Sequence, residues 1–195
     1  YHRKDWETLE FIRYHGIIFV GLENSFMDYE KFINVVPDFP KKGISFKDIS
    51  PLLRDPVAFS SCIDEMSRMA GEFHPDVIVG PESRAFLFGA AMAYKMGIGF
   101  VMARKAGKLP GKTYGVSYDL EYGKARLEIP VSSFHKGDRV LLVDDLLATG
   151  GTFNALISLV KEAGGNPVAC EVLIRLKELE GDKNLPVPTK YILDL

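Results

Sequence analysis

The feature that most restricts the fold is a strand–loop–helix–strand pattern that occurs twice along the chain. In the first copy, residues 76–79 (DVIV) predict a short buried strand and residues 80–84 (GPESR) a turn. Residues 85–96 then predict a helix that Gly97 ends, and residues 98–102 predict the next strand. A strand, a crossover helix and a second strand in this order favour parallel pairing of the two strands.

The second copy contains the most unusual stretch of the sequence, VLLVDDLLATGGT at residues 140–152. Residues 140–143 predict a strand and residues 144–152 a loop. A helix is predicted from Phe153, because apolar residues follow it at helical spacing, and residues 168–174 predict the closing strand. Continuous apolar strands are typical of sheets covered on both faces. The sequence therefore predicts an α/β fold with a central, mainly parallel sheet flanked by helices.

Both copies carry unusual residues just after a predicted strand. In open parallel sheets, ligands bind beyond the carboxyl ends of the strands, so we expect the PESR and DDLLATGG loops to line one site. Two adjacent carboxylates suit hydroxyl groups or a group bound to magnesium. Small residues leave backbone N–H groups free to face an anion. A sugar phosphate would satisfy both halves of the second loop.

The composition predicts a single globular domain. The 195 residues are 47% hydrophobic and 26% charged, and the 24 basic residues nearly balance the 26 acidic ones. This balance gives no support to a general role in nucleic-acid binding. No apolar run reaches the length of a membrane span.

The cysteines and the N-terminal residues carry smaller expectations. Cys62 and Cys170 are too far apart in sequence for a CxxC motif, so we expect buried thiols and a reducing, cytoplasmic setting. Met27 precedes an amphipathic segment that resembles a natural start. Residues 1–26 are therefore interpreted as an extension of unclear role, and residues 27–195 as one domain.

A long segment between the two copies lacks helical periodicity. Residues 104–123 (RKAGKLPGKTYGVSYDLEYG) are rich in glycine and lysine, and loops of this length are often lids or binding loops. Residues 124–129 alternate like a half-exposed strand, so a hairpin that frames a flexible lid is expected.

Several common catalytic motifs do not fit. Residues 107–113 (GKLPGKT) approach the nucleotide-binding GxxxxGK[ST] loop but are one residue short, and no helical pattern follows. The sequence has no GxGxxG, GxSxG or HExxH motif. Its four histidines are scattered at His2, His15, His74 and His135, and we expect surface or structural roles for them.

The stretch VLLVDDLLATGGT resembles the motif with which type I phosphoribosyltransferases bind 5-phosphoribosyl 1-diphosphate (PRPP). Four further segments are similar to the adenine-specific members of that family: PDFPKKGISFKDISPLL, SRAFLFG, RKAGKLPG and YDLEYGKARLEI. The similarity runs from about residue 28 to the C-terminus. It implies the family fold, with a flexible lid at residues 104–123 and a small base-binding hood formed by residues 37–50 and the C-terminal segment.

The resemblance also assigns residues to the parts of PRPP. Glycines at the start of a helix would let backbone N–H groups surround the 5′-phosphate, and the acidic pair would hold the ribose hydroxyls. A planar guanidinium suits the pyrophosphate, together with nearby lysines. The ribose-phosphate set is Asp144, Asp145, Ala148, Thr149, Gly150, Gly151 and Thr152; the pyrophosphate set is Glu82, Ser83, Arg84, Arg104, Lys105 and Lys108.

Two details of the pyrophosphate set follow from the family alone. Its members commonly have a non-proline cis peptide in this loop, which would be Glu82–Ser83 here. Ala85 stands where the family usually has glycine, so its methyl group could crowd the loop if the backbone φ there were positive. Without the family, Asp144 and Asp145 would read as a solvated loop end or helix cap, and the basic residues as a solvated loop.

For the base, the family implies that Phe46 stacks on one face of adenine and Leu176 lies on the other. The backbone of Ser45 and Lys47 would contact the purine edge. The residues alone would favour plain core packing for Phe46 and Leu176. Glu121 is the candidate to accept the N9 proton or stabilise a cationic sugar, with Arg84 as the second catalytic residue; Tyr122 would help to close the lid.

The resemblance implies transfer of the phosphoribosyl group from PRPP to N9 of adenine, which gives AMP and pyrophosphate in purine salvage. Mg²⁺ would be bound mainly through PRPP, with water-mediated contacts to Asp144 and Asp145. A homodimer is implied, with Arg104 reaching the neighbouring site, and neither nucleic acid nor membrane is an expected partner. Two alternatives stay open: transfer to another base, and a non-catalytic protein that senses PRPP or a purine.

Overall fold

The computed structural model describes residues 27–120 and 123–195, without the side chains of residues 119, 120, 123 and 124. Residues 1–26, interpreted as an extension, lie outside this description. Strands and helices alternate through most of the described chain. The strands are β1 Asn34–Val36, β2 Phe46–Asp48, β3 Val77–Pro81, β4 Gly99–Lys105, β5 Thr113–Leu120, β6 Gly123–Pro130, β7 Arg139–Leu147, β8 Asn166–Arg175 and β9 Thr189–Asp194; the α-helices are α1 Ser50–Arg54, α2 Pro56–Gly71, α3 Ala85–Met96 and α4 Gly151–Glu162.

The central sheet has seven strands in the order β5-β6-β4-β3-β7-β8-β9. The five strands from β4 to β9 pair in parallel, and β6 pairs antiparallel with both β4 and β5. The predicted mainly parallel sheet is therefore confirmed. Strands β3 and β7 are direct neighbours, so the two loops that follow them lie at the same edge of the sheet.

Both faces of this sheet are covered, as the apolar strands predict. Helices α2 and α3 pack on one face, in a core that contains Phe88 and Leu141. Helix α4 packs on the other face, in a core around Phe153 and Leu142 that also includes side chains of the β5–β6 hairpin. Leu141 and Leu142 belong to opposite cores because successive side chains of a strand point to opposite faces.

The two helices that frame the site begin and end near their predicted positions. Helix α3 spans Ala85–Met96, and Gly97 ends it with a φ of 69°, a left-handed conformation that glycine adopts without strain. Helix α4 begins at Gly151, two residues before the predicted start, because Gly150 precedes it with a φ of 88°.

One predicted boundary is wrong. Strand β7 continues to Leu147, so Asp144 and Asp145 lie within a strand rather than in a loop. The segment expected to form a lid contains strand β5, which pairs with β6 along its whole length, and residues 106–112 separate β4 from β5. The predicted strand at residues 124–129 is confirmed as part of β6.

A separate two-stranded antiparallel sheet precedes the main one. Strands β1 and β2 pair from Asn34 opposite Asp48 to Val36 opposite Phe46. The turn between them carries the exposed residues Phe39 and Ile44. This small sheet overlaps the hood expected at residues 37–50. The division of residues 27–195 into hood, lid and main domain stays a prediction.

Candidate helices for crossing a membrane were sought in the described part of the chain. None of its helices combines the length and the apolar character that a bilayer span requires.

Candidate active site

The two loops predicted to form one site meet at the carboxyl ends of β3 and β7. Between them lies a cavity of about 140 Å³. It combines acidic, basic and hydroxyl side chains from both sequence copies, as expected for a polar, charged ligand. Its lining residues are Pro81, Glu82, Ser83, Arg84, Lys105, Tyr118, Leu127, Asp144, Asp145 and Thr152.

The acidic pair is held by strand pairing and by its own contacts. Asp144 is paired with Val172 of β8, and its Oδ1 accepts a hydrogen bond from the backbone N–H of Asp145 at 2.8 Å. The Asp145 side chain is buried, and Arg84 Nε lies 3.0 Å from its Oδ2. This ion pair lacks hydrogen-bond alignment, so Oδ2 accepts no hydrogen bond from any described residue. A buried carboxylate oxygen at the cavity is therefore free to accept one from a ligand hydroxyl.

The pKa of Asp144 reflects its burial and the neighbouring carboxylate. Removal from solvent, and then the neighbouring charge of Asp145, raise the pKa of Asp144 well above the usual value for aspartate. The charge of Arg84 opposes this rise but is a smaller contribution. The single positive charge of Arg84 is too little to neutralise two adjacent carboxylates. The pair is therefore suited to bind hydroxyl donors or a cation.

The predicted phosphate-binding residues lie at the start of α4. Gly150, in the N-cap position, has no side chain, so the first N–H groups of the helix lack a side-chain cap. These groups and the helix dipole favour an anion at this position. Thr152 lines the cavity, and Thr149 is exposed beside it. Ala148 and Gly151 complete the loop on either side of Thr149 and Gly150.

The carboxylate of Glu82 contacts three of the basic residues expected to bind pyrophosphate. Its oxygens accept hydrogen bonds from Arg104 Nε at 2.9 Å and from the backbone N–H of Lys105 at 3.1 Å, and Lys108 Nζ lies 3.1 Å away. Burial tends to raise the pKa of Glu82, but these contacts outweigh it and hold the pKa below its usual value. We therefore expect Glu82 to position the cations rather than to contact an anion itself.

The local backbone agrees with both family-based details. The Glu82–Ser83 peptide is cis, as predicted. Among the described non-glycine residues, only Asp38, His74 and Glu180 have a positive φ, so Ala85 does not have the conformation in which its methyl group would crowd the loop. The Ala85 methyl instead packs over Gly80, where an added Cβ would lie only 3.0 Å from it. Gly80 thus makes room for alanine at the start of α3.

The expected base-stacking residue is in contact with the expected pyrophosphate residue. Arg84 Cζ lies 5.4 Å from the centre of the Phe46 ring, a cation–π arrangement. Phe39 contacts the same ring edge to face, at 5.2 Å between centres. Phe46 is half-buried, so it is not the plain core residue that its type alone would suggest.

The other expected base contacts are placed as follows. Lys47 lies within β2 and is half-buried, and Ser45 immediately precedes the strand and is exposed. Leu176 directly follows β8, where its backbone N–H donates to the carbonyl of Leu147 at 2.9 Å. Its side chain packs against the core that contains Phe88.

Two predicted residues lie outside the described part of the chain, and three cavity residues, Pro81, Tyr118 and Leu127, were missed. Glu121 and Tyr122 are not described, so their catalytic and lid roles stay predictions. Tyr118 lines the cavity from β5 but was not predicted as a site residue. The signal was the two-residue alternation of Tyr114, Val116 and Tyr118, which all pack towards one core. Interpretation of this segment as a loop hid that alternation.

Metal-binding groups were also sought. Within residues 27–120 and 123–195, no three or more His, Cys, Asp and Glu side chains form a group that could hold a metal ion. The acidic pair at the cavity supplies two carboxylates. A metal at this site would therefore need ligands from the substrate.

Comparisons with known proteins agree with this geometry. The family described as "Phosphoribosyl transferase domain" matches residues 58–188. The adenine phosphoribosyltransferase of Thermotoga petrophila is 53% identical over 159 residues, which cover 82% of this chain and 94% of that protein. The family and its fold are thereby established for about two thirds of the chain or more.

Solved structures give the same result. The adenine phosphoribosyltransferase of Thermoanaerobacter pseudethanolicus superposes with a TM-score of 0.83 at 44% identity, covering 85% of this chain and 97% of that one. The Saccharomyces cerevisiae enzyme was solved with an imino-altritol bisphosphate and adenine. It superposes with a TM-score of 0.79 at 38% identity, covering 84% of this chain and 96% of that one. A chain that shares its fold, its motifs and 38–53% of its aligned residues with these enzymes is a member of the phosphoribosyltransferase family, in its adenine phosphoribosyltransferase group.

Proposed function

We propose that this chain transfers the 5-phosphoribosyl group of PRPP to N9 of adenine, giving AMP and pyrophosphate, as in purine salvage. The observation that carries the proposal is that Asp144, Asp145 and Thr152 line one cavity together with Arg84 and Lys105. One side of this cavity suits a ribose phosphate and the other a pyrophosphate. Relatives named for this activity, 50–53% identical over the aligned residues, support the same substrate pair.

The reaction is a substitution at ribose C1. The bond from C1 to the pyrophosphate oxygen breaks, the bond from C1 to N9 forms, and the N9 proton leaves. The transition state has oxocarbenium character, as in glycosyl transfer generally. Arg84, Lys105 and Lys108 would stabilise the negative charge that develops on the departing pyrophosphate. Glu121 would accept the N9 proton or stabilise the cationic sugar.

Magnesium is proposed as the cofactor, bound mainly through PRPP. The residues present fit such an ion, because Asp144 and Asp145 provide hard oxygen ligands and Asp145 Oδ2 has no hydrogen-bond donor among the described residues. When bound, Mg²⁺ would neutralise charge on the phosphates. The protein's own part is to hold the ribose hydroxyls with the acidic pair and the pyrophosphate with Arg84.

Adenine is proposed to stack on Phe46, close to Arg84. The half-buried ring of Phe46 and its place in a small separate sheet support this role. A panel of bases tests the specificity: kcat/KM with PRPP and Mg²⁺ should be highest for adenine and far lower for hypoxanthine, guanine and orotate. Activity with a 6-oxopurine or orotate instead would favour another base. PRPP binding without turnover of any base would favour the sensor.

The homodimer is proposed to form through an exposed apolar surface on α3 and β4. Tyr94 is 91% exposed, and Leu87 lies two turns before it on the same face of α3. Met102 of β4 is also exposed, and Arg104 follows it by two residues towards the cavity. A second copy that covers this surface would place itself beside the site. Sedimentation of Tyr94→Lys should then show a monomer where the unmodified protein is a dimer, and an unchanged dimer would contradict this interface.

A reducing, cytoplasmic setting is proposed from the cysteines. Cys62 and Cys170 are both buried and form no disulfide. Burial raises the pKa of the Cys62 thiol to about 12, so it is unreactive at neutral pH. Both residues act as small apolar side chains, as expected.

A further inference from the structure

Arg175, the last residue of β8, is a buried arginine that no part of the reaction described above uses. It is only 9% exposed, and it forms two charge-assisted hydrogen bonds. Its Nε donates to Asp182 Oδ1 at 2.7 Å, and its Nη1 donates to Asp194 Oδ1 at 2.8 Å. The two partners lie in different elements: Asp194 ends strand β9, and Asp182 lies in the 3-10 turn Gly181–Asn184.

The turn that contains Asp182 is in direct contact with the phosphate loop, residues 148–151. A Cβ added to Gly181 would overlap the carbonyl oxygen of Ala148 and would lie 2.9 Å from the Gly150 nitrogen. In the opposite direction, a Cβ on Gly150 would lie 2.7 Å from the Gly181 carbonyl oxygen. The two backbones therefore touch with no room for a side chain on either, and the turn fixes the position of the loop.

Two further contacts join the same parts. Asn154 of helix α4 donates from Nδ2 to the carbonyl of Asn184 at 3.3 Å. Arg175 itself is the strand partner of Leu147, the residue that immediately precedes the phosphate loop. Arg175 thus lies beside one end of the loop and, through Asp182, holds the turn that packs on its middle.

We propose that Arg175 is a positioning residue, which holds the Gly181–Asn184 turn against residues 148–151 through Asp182 and so fixes the backbone N–H groups for the 5′-phosphate. The proposal rests on the proposed function, because it assumes that these residues bind that phosphate. Its physical basis is pre-organisation: a loop already held in its binding geometry loses less conformational entropy when the ligand binds. Arg175 contributes this effect without contact with the substrate.

The two ion pairs of Arg175 provide a matched experiment. Asp182→Ala cuts the connection to the turn, whereas Asp194→Ala removes an equivalent hydrogen bond on the side away from the loop. Calorimetric titration should show a rise of about tenfold in the Kd for AMP in Asp182→Ala, since loss of a hydrogen bond to a charged group has effects of this order. Asp194→Ala should bind AMP with a Kd within about twofold of that of the unmodified protein, because Asp194 has no contact with the loop.

Pyrophosphate serves as the internal reference, because its expected site lies at Glu82–Arg84 rather than at the phosphate loop. Its Kd should stay unchanged in both variants. A purely structural role for Arg175 predicts instead that Asp182→Ala and Asp194→Ala weaken AMP and pyrophosphate binding alike, and this result would overturn the proposal. So would unchanged AMP affinity in Asp182→Ala.

Gly181→Ala tests the contact itself, with Gly71→Ala as its control. An added methyl at Gly181 meets the loop backbone, whereas nothing lies within 4 Å of a methyl at Gly71. The first change should weaken AMP binding selectively, and the second should leave it intact; equal affinities would contradict the proposed contact. These readouts need no turnover. If the unmodified protein binds AMP but forms none from adenine and PRPP, the proposed function is contradicted. The binding comparison between the variants would still test the role of Arg175.

Discussion

Arg84 and Asp145 form an ion pair across the cavity, with Arg84 Nε 3.0 Å from Asp145 Oδ2. The first residue is expected to bind pyrophosphate and the second to bind ribose. The same guanidinium lies 5.4 Å from the Phe46 ring, so the residue expected to bind pyrophosphate contacts the residues expected to bind ribose and adenine. Arg84 therefore connects the acidic pair with the expected base-stacking residue.

Removal of this guanidinium should affect turnover more than folding. Arg84→Met is expected to lower kcat by about 10²-fold, because a charged donor that stabilises the departing pyrophosphate is lost. Steady-state kinetics with PRPP as the varied substrate make the measurement. Lys95→Met is the control, since Lys95 is a cation at the other end of α3 that pairs with Asp64 at 2.7 Å. Equal activity in both variants would remove Arg84 from the reaction.

The acidic pair is expected to increase the affinity for PRPP and to lower the stability of the fold. Asp144→Asn with Asp145→Asn is expected to raise the Kd for PRPP at least about tenfold, because neutral amides lose the charge that favours hydroxyl donors. Calorimetric titration measures this change. Asp138→Asn, next to the other end of β7, is the control. Unchanged PRPP affinity in the double variant would show that the pair is structural.

The pKa of Asp144 adds a second readout at neutral pH. A carboxyl whose pKa is raised on folding binds more protons in the folded state, so stability falls as pH rises through the interval between its unfolded and folded pKa values. Asp144→Asn removes this loss. Its thermal midpoint should therefore exceed that of the unmodified protein at neutral pH, and the difference should vanish in acid.

Glu171 should also make the fold less stable as pH rises, as Asp144 does. Its replacement should leave activity unchanged. It is fully buried in β8, neither carboxyl oxygen has a hydrogen-bond partner among the described residues, and burial raises its pKa to about 9. Ionisation therefore destabilises the folded state progressively as pH rises from about 4.5 to about 9. Glu171→Gln should be more stable at pH 8 by about 1–3 kcal/mol, with unchanged kcat/KM.

Thermal melts from about pH 4 to pH 9 make this measurement. The exposed Glu162→Gln on helix α4 is the control and should shift the midpoint little. A stability gain for Glu171→Gln that does not grow with pH would contradict a protonated Glu171.

The accuracy of the sequence predictions depends on whether the deciding interactions are local. Helix α3 ends at Met96 as predicted, because Gly97 supplies the left-handed conformation within the sequence itself. Strand β7 was predicted too short, because two aspartates are typical of loops, yet pairing with β8 continues as far as Leu147. That pairing partner is distant in sequence and leaves no local signal.

In the candidate site too, features set by local sequence were predictable and contacts between distant residues were not. The meeting of the two stretches at one edge of the sheet was predictable, because buried strands and glycines are readable in the sequence. The contact between Glu82 and Arg104 spans 22 residues and depends on the pairing of β3 with β4. The role of Arg175 could not be predicted either, since Asp182 and Asp194 come together around it only through the fold.

Glu121 can be tested although it lies outside the described residues. Glu121→Ala should lower kcat by about 10²- to 10⁴-fold and leave the Kd for PRPP nearly unchanged, because a proton acceptor acts mainly in the reacting state. Glu121→Gln distinguishes charge from size. Single-turnover kinetics on both variants, with the exposed Glu178→Ala as control, provide the measurement. Unmodified rates in Glu121→Ala would leave alignment and leaving-group stabilisation as the sources of catalysis.

The central claim is that a bond forms between ribose C1 and N9 of adenine, and labelled substrates test it most directly. The protein is incubated with Mg²⁺, adenine labelled with ¹⁵N at N9, and PRPP labelled with ¹³C at C1, and the products are followed by NMR. We predict AMP in which the labelled carbon and nitrogen show one-bond coupling, with an equal amount of pyrophosphate released. Free ribose 5-phosphate without that coupling, or coupling to a different base supplied in competition with adenine, would contradict the proposed reaction.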